Sequence, residues 1–589
     1  MVGSVRSATP HSLRIQLDVP RSPKPGVPAG SPALNNAEIA DHLSALAQLL
    51  TLEKANPYKI RAYRRAAATI RGLGESVDEL VRNNADLRIY AGIGEGLNGA
   101  LREIVLTGTL TSLEKLRSKS SPELVAISAH PRLDPRRVLR IYKKFGISTI
   151  EALRSALESG EIERTFGARM AQHVKHGLVE SEAILLYHAH QLRMTIEEFL
   201  TNRCKAVRAE AVGEYRRCIE VIKELAFVVE TGDFRHVVET MQRFGGRTPL
   251  LQSSVDSATY ALPSGPRLRL ELSNAKSWGL DLIRHTGSKA HLRKLTQVTG
   301  SIAVLLRTNS FVTEEAFFQK FGMAFIPPEL REGLDEVRQA RSGTIPKLMT
   351  QEDIHGDLHA HTLGSDGADS VEGMALAAKE LGYEYVGITD HSPSLKIANR
   401  QSAEDLSKQM RAIDKLNARL NGIRVLKSAE VDILADGSLD YPDDLLRELD
   451  YTVCSIHSRF GLGKQQQTER ILRAMDNRYF TILGHATGRV LPKRPGYELD
   501  FERIVEHARQ KGCFFELNCS PDRLDISAEN ARLVRAAGIL ISISTDSHST
   551  PEYRTVRYGI EQARRAGVEK SDVLNCQPLS RVLTLFEWT

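Results

Sequence analysis

The sequence predicts a multidomain α+β and α/β protein that ends in a parallel barrel or doubly wound sheet. Three observations predict it. Apolar residues recur at helical spacing from residue 35 to about residue 200. Residues 205–335 mix strand-like runs (AFVVET, LRLELS) with helices. Beyond residue 353 strands alternate with helices to the C-terminus, as parallel sheets require. The 589 residues suit about three to five domains at about 100–200 residues each.

Taken in order, residues 1–34 are rich in Pro, Ser and Gly without apolar periodicity and read as a disordered tail. Asn35 stands at a helix cap with Glu38 three residues on, and Ile39, Leu43, Leu46 and Leu50 follow on one helical face. Residues 35–115 and 116–200 read as two helical domains, 201–335 as the mixed region, 336–352 as a charged linker and 353–589 as the final domain.

Composition narrows the class. With 41% hydrophobic and 26% charged residues the chain is an ordinary globular one, neither collagen-like nor wholly disordered. No run reaches the ~18 apolar residues of a membrane helix, and the N-terminus has no secretory apolar core. Six cysteines without a CxxC pair fit a reducing cytoplasm. A net charge of +6 permits an acidic partner such as nucleic acid.

Seven strand candidates follow residue 353: IHGDLHAHT, YEYVGITDHS, IRVLKSAEVDI, YTVCSIHS, FTILGHAT, CFFELNCS and ILISISTDSHS. Six of the seven end in His, Asp or Glu. These are His359, His361 and nearby Asp366; Asp390 and His391; Glu430 and Asp432; His457; His485; and Asp546 with His548. C-terminal strand ends of a parallel barrel converge on one mouth, and a His-x-His on a strand directs both rings to one face. Imidazole and carboxylate without thiolate suit Mn²⁺, Zn²⁺ or Fe²⁺ better than Mg²⁺. The donors exceed what one four-coordinate ion uses, so two or three ions are expected, a cluster suited to in-line phosphoryl displacement. His355, His507 and the histidines before residue 300 read as ordinary structural residues.

The segments HGDLHAHTLGSDG, ITDHS, AEVDI, SIHS, GHATGR and STDSHS resemble the motifs of the PHP (polymerase and histidinol phosphatase) phosphoesterases. The resemblance covers about residues 350–589 and implies a distorted (β/α)7 barrel with three metal ions. It implies a first ion on His359, His361, Glu430 and Asp546. Glu430 would bridge to a second on His457 and His485, with Asp366, His391 and His548 on a third. Arg489, after His485, is the expected phosphate clamp, since guanidinium matches phosphate geometry. Lys396 is a weaker candidate, and Asn518 and Arg523 are placed to line a substrate groove.

The strings NPYKIRAYRRAAATIRGL and YAGIGEGLNGALREIVLTGTL resemble the N-terminal domain of bacterial family X DNA polymerases, which often carry a C-terminal PHP domain. Gly92-Ile93-Gly94 before a helix reads as a helix-hairpin-helix turn whose backbone N–H groups face a DNA phosphate. A second copy lacks the hairpin glycines but keeps Arg132, Arg136, Arg137, Arg140, Lys143 and Lys144. The family's lyase lysine positions fall on Gly96 and Ala100, which cannot form an imine.

The nucleotidyltransferase palm pattern aligns on Gly213, Arg216 and Arg217, which are carried over as DNA-binding candidates with Gly287 and Ser288 of the TGSKAH strip. Two metal-binding aspartate positions then fall on Glu224 and Ala226, the third, counted back from Ser277-Trp278-Gly279, falls on Arg269, and Glu214 replaces a triphosphate-binding serine. A cation among the metal positions repels the ions, so the palm is expected to be degenerate.

The resemblances together imply a DNA-binding, metal-dependent phosphoesterase: a 3′–5′ exonuclease, or a nuclease for abasic sites or 3′ ends, acting at a gap or primer end in repair. The alternatives are a small-molecule phosphomonoesterase and a working gap-filling polymerase using Glu220, Glu224 and Glu271.

Overall fold

A computed structural model describes residues 33–587, except 54, 122–123, 126–127, 129–132, 134, 168–169, 172–173, 175–182, 263–264 and 395–400. Most of the expected tail, Arg132, Lys396 and the Arg136 side chain therefore lie outside the described residues.

The Asn35 carboxamide accepts the N–H groups of Ala37 and Glu38, and Glu38 accepts the Asn35 N–H at 2.8 Å. This reciprocal cap starts the helix Asn36–Leu52, whose Ile39, Leu43, Leu46 and Leu50 are buried. They belong to a core running from Ile39 to Leu113. A second small core joins Leu133 to Val174. Its helix Pro135–Phe145 turns Val138, Ile141 and Tyr142 inward and leaves Arg137, Arg140, Lys143 and Lys144 exposed.

The mixed region holds a five-stranded sheet. Its order is Arg208–Val212, Glu224–Glu230, Arg267–Ser273, Ser257–Ala261, Leu250–Ser253, and only the Glu224–Glu230/Arg267–Ser273 pair is parallel. The helix Leu186–Asn202, expected with the preceding domain, packs Leu192, Ile196 and Leu200 into this sheet's core. A separate core spans Leu280 to Ala340. It includes Val337 and Ala340 of the helix Glu336–Ser342, in the stretch expected as a linker. That helix forms because Glu336, although charged, is buried against His291 Nδ1 at 2.7 Å and the Gly333 N–H at 2.8 Å.

All seven expected strands of the last domain form. They are Gly356–Ala360, Tyr385–Ile388, a strand split into Arg424–Lys427 and Glu430–Asp432, Val453–Ser455, Ile482–Leu483, Phe514–Asn518 and Ile541–Ser544. Neighbours pair in parallel in chain order. A bridge between Ala360 and Ser547 joins the last strand to the first. Together these make a seven-stave parallel barrel whose strand C-terminal ends share one mouth.

Candidate metal centre

The mouth collects the histidines and carboxylates. The rings of His359 and His361 lie 5.1 Å apart, and that of His361 stacks 4.4 Å from both His391 and His548. His361 Nε2 is 3.1 Å from Asp546 Oδ1 and 3.6 Å from Glu430 Oε2, while His359 Nε2 is 3.6 Å and 3.5 Å from the same atoms. Donors held about 2.1 Å from a shared ion lie about 3–3.5 Å from one another. Glu430 Oε1 meets His485 Nε2 at 2.8 Å and His457 Nε2 at 3.3 Å. Asp366 Oδ1 is 3.4 Å from His548 Nε2 and 3.6 Å from His391 Nε2.

All nine residues implied by the PHP resemblance are thus brought to one place. The groupings differ in detail: His391 Nδ1 also faces Glu430 Oε2 at 2.8 Å, and His361 joins the Asp366 group as well as the Asp546 group. The donors present fit divalent ions. Three atoms that face other donors, His359 Nε2, His361 Nδ1 and Glu430 Oε2, are buried and make no hydrogen bond although ligand-competent atoms stand 2.8–3.9 Å away. Donors set against donors at such distances, with each hydrogen bond left unmade costing about 1–3 kcal/mol, suit a shared ion.

Outer partners hold the rings. Glu516 Oε1 accepts from His359 Nδ1 at 2.6 Å, and its Oε2 accepts the His485 N–H at 2.7 Å. Asp432 accepts from His457 Nδ1 at 2.8 Å. Such carboxylates fix the tautomer that presents the other nitrogen outward. Glu516 was not legible as a site residue because it lies inside a strand, where one carboxylate among apolar residues gives no motif. Asp390 supports the mouth at one remove: it accepts from the Thr362 N–H at 2.8 Å and from the Thr362 and Ser365 hydroxyls at 2.6 Å each.

The titrating groups are driven apart. Burial and the neighbouring His391 and His548 push His361 down to about 4. Burial and the Arg523 charge push His485 down to about 4. Burial opposes protonation of His457, but Glu430 and Asp432 overcome it and raise the ring to about 10. Burial pushes Glu516 up. Such spreads cluster at functional sites. His485 and Asp546 also hold positive φ, at 24° and 55°, a costly conformation that persists where surroundings over-determine it. Asp366 and His548, each 35% exposed at the side chain, form the open rim, whereas His359, His361 and Glu430 are closed off.

Arg489 is a correction. Its guanidinium turns away from the cluster, donating to the Arg523 carbonyl at 3.0 Å, to the Leu524 carbonyl and to Glu220 at 3.3 Å. A guanidinium tied on these sides has no fork left for a phosphate. Arg523 reaches the cluster instead, with Nε 3.6 Å from Asp546 Oδ2.

The DNA candidates divide. Gly92, with φ 84°, and Gly94, which starts the helix Glu95–Thr107 without a side-chain cap, form an exposed turn as expected. Arg137 is exposed on its helix. Arg216 and Arg217 are corrections. Arg216 makes a two-pronged pair with Glu314 at 2.9 and 2.7 Å, and Arg217 binds Glu332 at 3.0 Å and the Thr286 carbonyl at 2.6 Å. Ser288 uses its hydroxyl to cap the helix Lys289–Thr299. Its N–H donates to the Arg331 carbonyl at 3.0 Å. At Gly287 a Cβ would stand 2.6 Å from the His291 ring. All four serve the internal structure.

In the palm-like sheet Ala226 and Arg269 are direct partners on the parallel strands. Arg269 donates to Glu224 at 2.8 Å and also to Glu271. Glu220 lies elsewhere, between Arg489 and Arg565.

A helix-hairpin-helix domain model matches residues 34–110, and a PHP domain model matches residues 357–520. The chain is 31% identical over 574 residues to the DNA polymerase/3′-5′ exonuclease PolX of Bacillus subtilis, covering 93% of this chain and 99% of that protein. The chain belongs to the family X DNA polymerases (PolX). Its barrel is a PHP phosphoesterase domain. It is also similar to probable phosphatases of Syntrophotalea carbinolica, 28% identical over 230 residues (37% of this chain, 90% of that protein), and Acetivibrio thermocellus, 32% over 201 residues (33% and 78%). The helix-hairpin-helix domain and membership of this family support DNA binding. Among the described residues no helix is long and apolar enough to cross a membrane.

Proposed function

We propose that this chain is a divalent-metal-dependent DNA phosphodiesterase of the cytoplasm, a 3′–5′ exonuclease or a nuclease for abasic sites or 3′ ends, whose palm no longer synthesises DNA. One observation carries the reading. The barrel mouth gathers buried donors that make no hydrogen bond, while in the palm Arg269 occupies one metal position and pairs with Glu224 at another and with nearby Glu271. His359, His361, Asp366, His391, Glu430, His457, His485, Asp546 and His548 would hold two or three ions, and their nitrogen-rich donor set favours Mn²⁺ or Zn²⁺, then Fe²⁺, over Mg²⁺. When bound, such ions activate water and stabilise charge on the attacked phosphate.

The protein's own groups do the rest. Glu516 and Asp432 orient the rings. The rim at Asp366 and His548 admits a strand end. The turn at Gly92–Gly94 and the exposed Arg137, Arg140, Lys143 and Lys144 hold DNA backbone without reading sequence.

A 5′-labelled primer on a gapped template, with Mn²⁺ and with or without all four dNTPs, tests this. Shortening in both lanes is expected. Extension with dNTPs would overturn the palm reading. The phosphatase relatives favour a second reading, a small-molecule phosphomonoesterase. It predicts an intact primer and turnover of phosphomonoesters that is insensitive to salt, whereas DNA cleavage falls steeply with salt as counterions are released.

A further inference from the structure

We propose that Arg523 takes the substrate phosphate at the barrel mouth, and that the polymerase-like half positions it through Glu220, Arg489 and Leu524. This rests on the phosphoesterase reading above. Arg523 is the guanidinium at the cluster: its Nε is 3.6 Å from Asp546 Oδ2, and its side chain is 24% exposed. Beyond that ion pair, its side chain donates no hydrogen bond among the described residues. Arg489 is instead tied through its Nε and one terminal nitrogen to the Arg523 and Leu524 carbonyls and to Glu220. A guanidinium with its fork uncommitted beside a phosphoesterase metal cluster matches a phosphate bidentately.

The position of Arg523 is set from outside the barrel. Leu524 follows it and is 1% exposed, packed in the core of the palm-like sheet together with Tyr558 of the barrel. Its φ of 44° is unfavourable for a branched side chain, and burial in the other half holds it there. Arg489 grips the carbonyls on both sides of the Arg523–Leu524 junction and is itself held by Glu220 at 3.3 Å. Glu220 is fixed in turn by Arg565 at 3.1 Å. On the other flank the Asn518 N–H donates to the Asp525 carbonyl at 2.6 Å. Arg523 therefore sits on a segment clamped between the metal cluster and the palm, and a shift of the palm moves the guanidinium. Displacements on the order of 1 Å in such a group are enough to change rates.

The test uses the full chain with Mn²⁺ and two substrates, the gapped primer and bis(p-nitrophenyl) phosphate, with metal content measured on each protein. Arg523→Gln is expected to lower kcat/KM on both substrates by about 100-fold or more with metal content unchanged. Arg523→Lys regains part of it, because the charge returns without the fork. Glu220→Gln lowers kcat/KM by roughly threefold to thirtyfold. In the Arg523→Gln background it adds nothing, because both act through one group. Leu524→Ala behaves like Glu220→Gln, and Leu524→Met restores the rate by keeping the side-chain volume.

Wild-type rates in Arg523→Gln, or loss of metal from it, would overturn the clamp. A multiplicative loss in the Glu220/Arg523 double variant would overturn the positioning. Cleavage of the nitrophenyl ester but not of DNA by the parent protein sinks the nuclease reading, yet leaves the Arg523 comparison readable. No turnover of either substrate sinks both.

Discussion

The barrel mouth and the palm sheet both gather acidic side chains at parallel strands, and they treat them oppositely. In the palm, Glu224 and Glu271 are both answered by Arg269, which stands opposite Ala226. In the barrel, Glu430 Oε2 faces only imidazoles, at 2.8–3.6 Å, and makes no hydrogen bond among the described residues, nor do His359 Nε2 and His361 Nδ1. Desolvating polar atoms without hydrogen bonds is costly, and divalent ions would offset that cost for the donors gathered at the mouth. The palm sheet closes its charges internally, whereas the mouth sets donor against donor.

The comparison breaks most directly at the first ligand group. Asp546→Ala or His359→Ala should reduce hydrolysis by more than about a hundredfold, beyond the 10–100-fold typical of losing an outer partner. Primer shortening by either variant at the wild-type rate would end the barrel's claim to the chemistry. Glu516→Gln should weaken Mn²⁺ binding by about 10–100-fold, read by titration calorimetry on chelated protein. Unchanged affinity would mean that the His359–Glu516 bond does not orient a ligand.

Chelation should lower the melting temperature of the intact chain, and Mn²⁺ should restore it. The stabilisation is about 2.7 kcal/mol at a hundredfold excess over Kd, and an identical melt with and without chelator would count against bound ions. Arg140→Ala or Lys144→Ala should each flatten the plot of log affinity for DNA against log salt by about one unit, leaving turnover of the nitrophenyl ester unchanged. The smallest effect belongs to the palm. Arg269→Ala should cost about 1 kcal/mol of stability, since the pair is partly exposed, and should restore no primer extension. Extension by the variant but not by the parent chain would show that Arg269 alone blocks synthesis.

Much of the site was legible before any coordinates. Apolar strand runs alternating with helical patterns located all seven staves, the polar residues at their ends gathered at one mouth as expected, and the PHP resemblance picked nine of them as donors, which the structure brings together. The palm alignment from Gly213 and the arginines gave Ala226, counting back from Ser277-Trp278-Gly279 gave Arg269, and the sheet register makes the two partners. What escaped was set by partners distant in sequence. Glu516 has no motif, and its role appears only when His359, 157 residues away, lies against it. Arg489 looked like a clamp by its place after His485, but Glu220, 269 residues earlier, takes it. Arg216 looked available for DNA, but Glu314 claims it from 98 residues on. The helix Glu336–Ser342 looked like a linker because its charged residues hid a buried face.

The sequence by itself therefore determined the order of the helix-hairpin-helix and PHP domains, the barrel and the gathering of histidines and carboxylates at its mouth. Strand ends are local features, and a parallel barrel brings them together whatever the rest of the chain does. The tertiary structure alone decided which charges remain available and which are consumed. An arginine's role depends on which carboxylate or carbonyl reaches it first, and that is settled by packing between segments hundreds of residues apart.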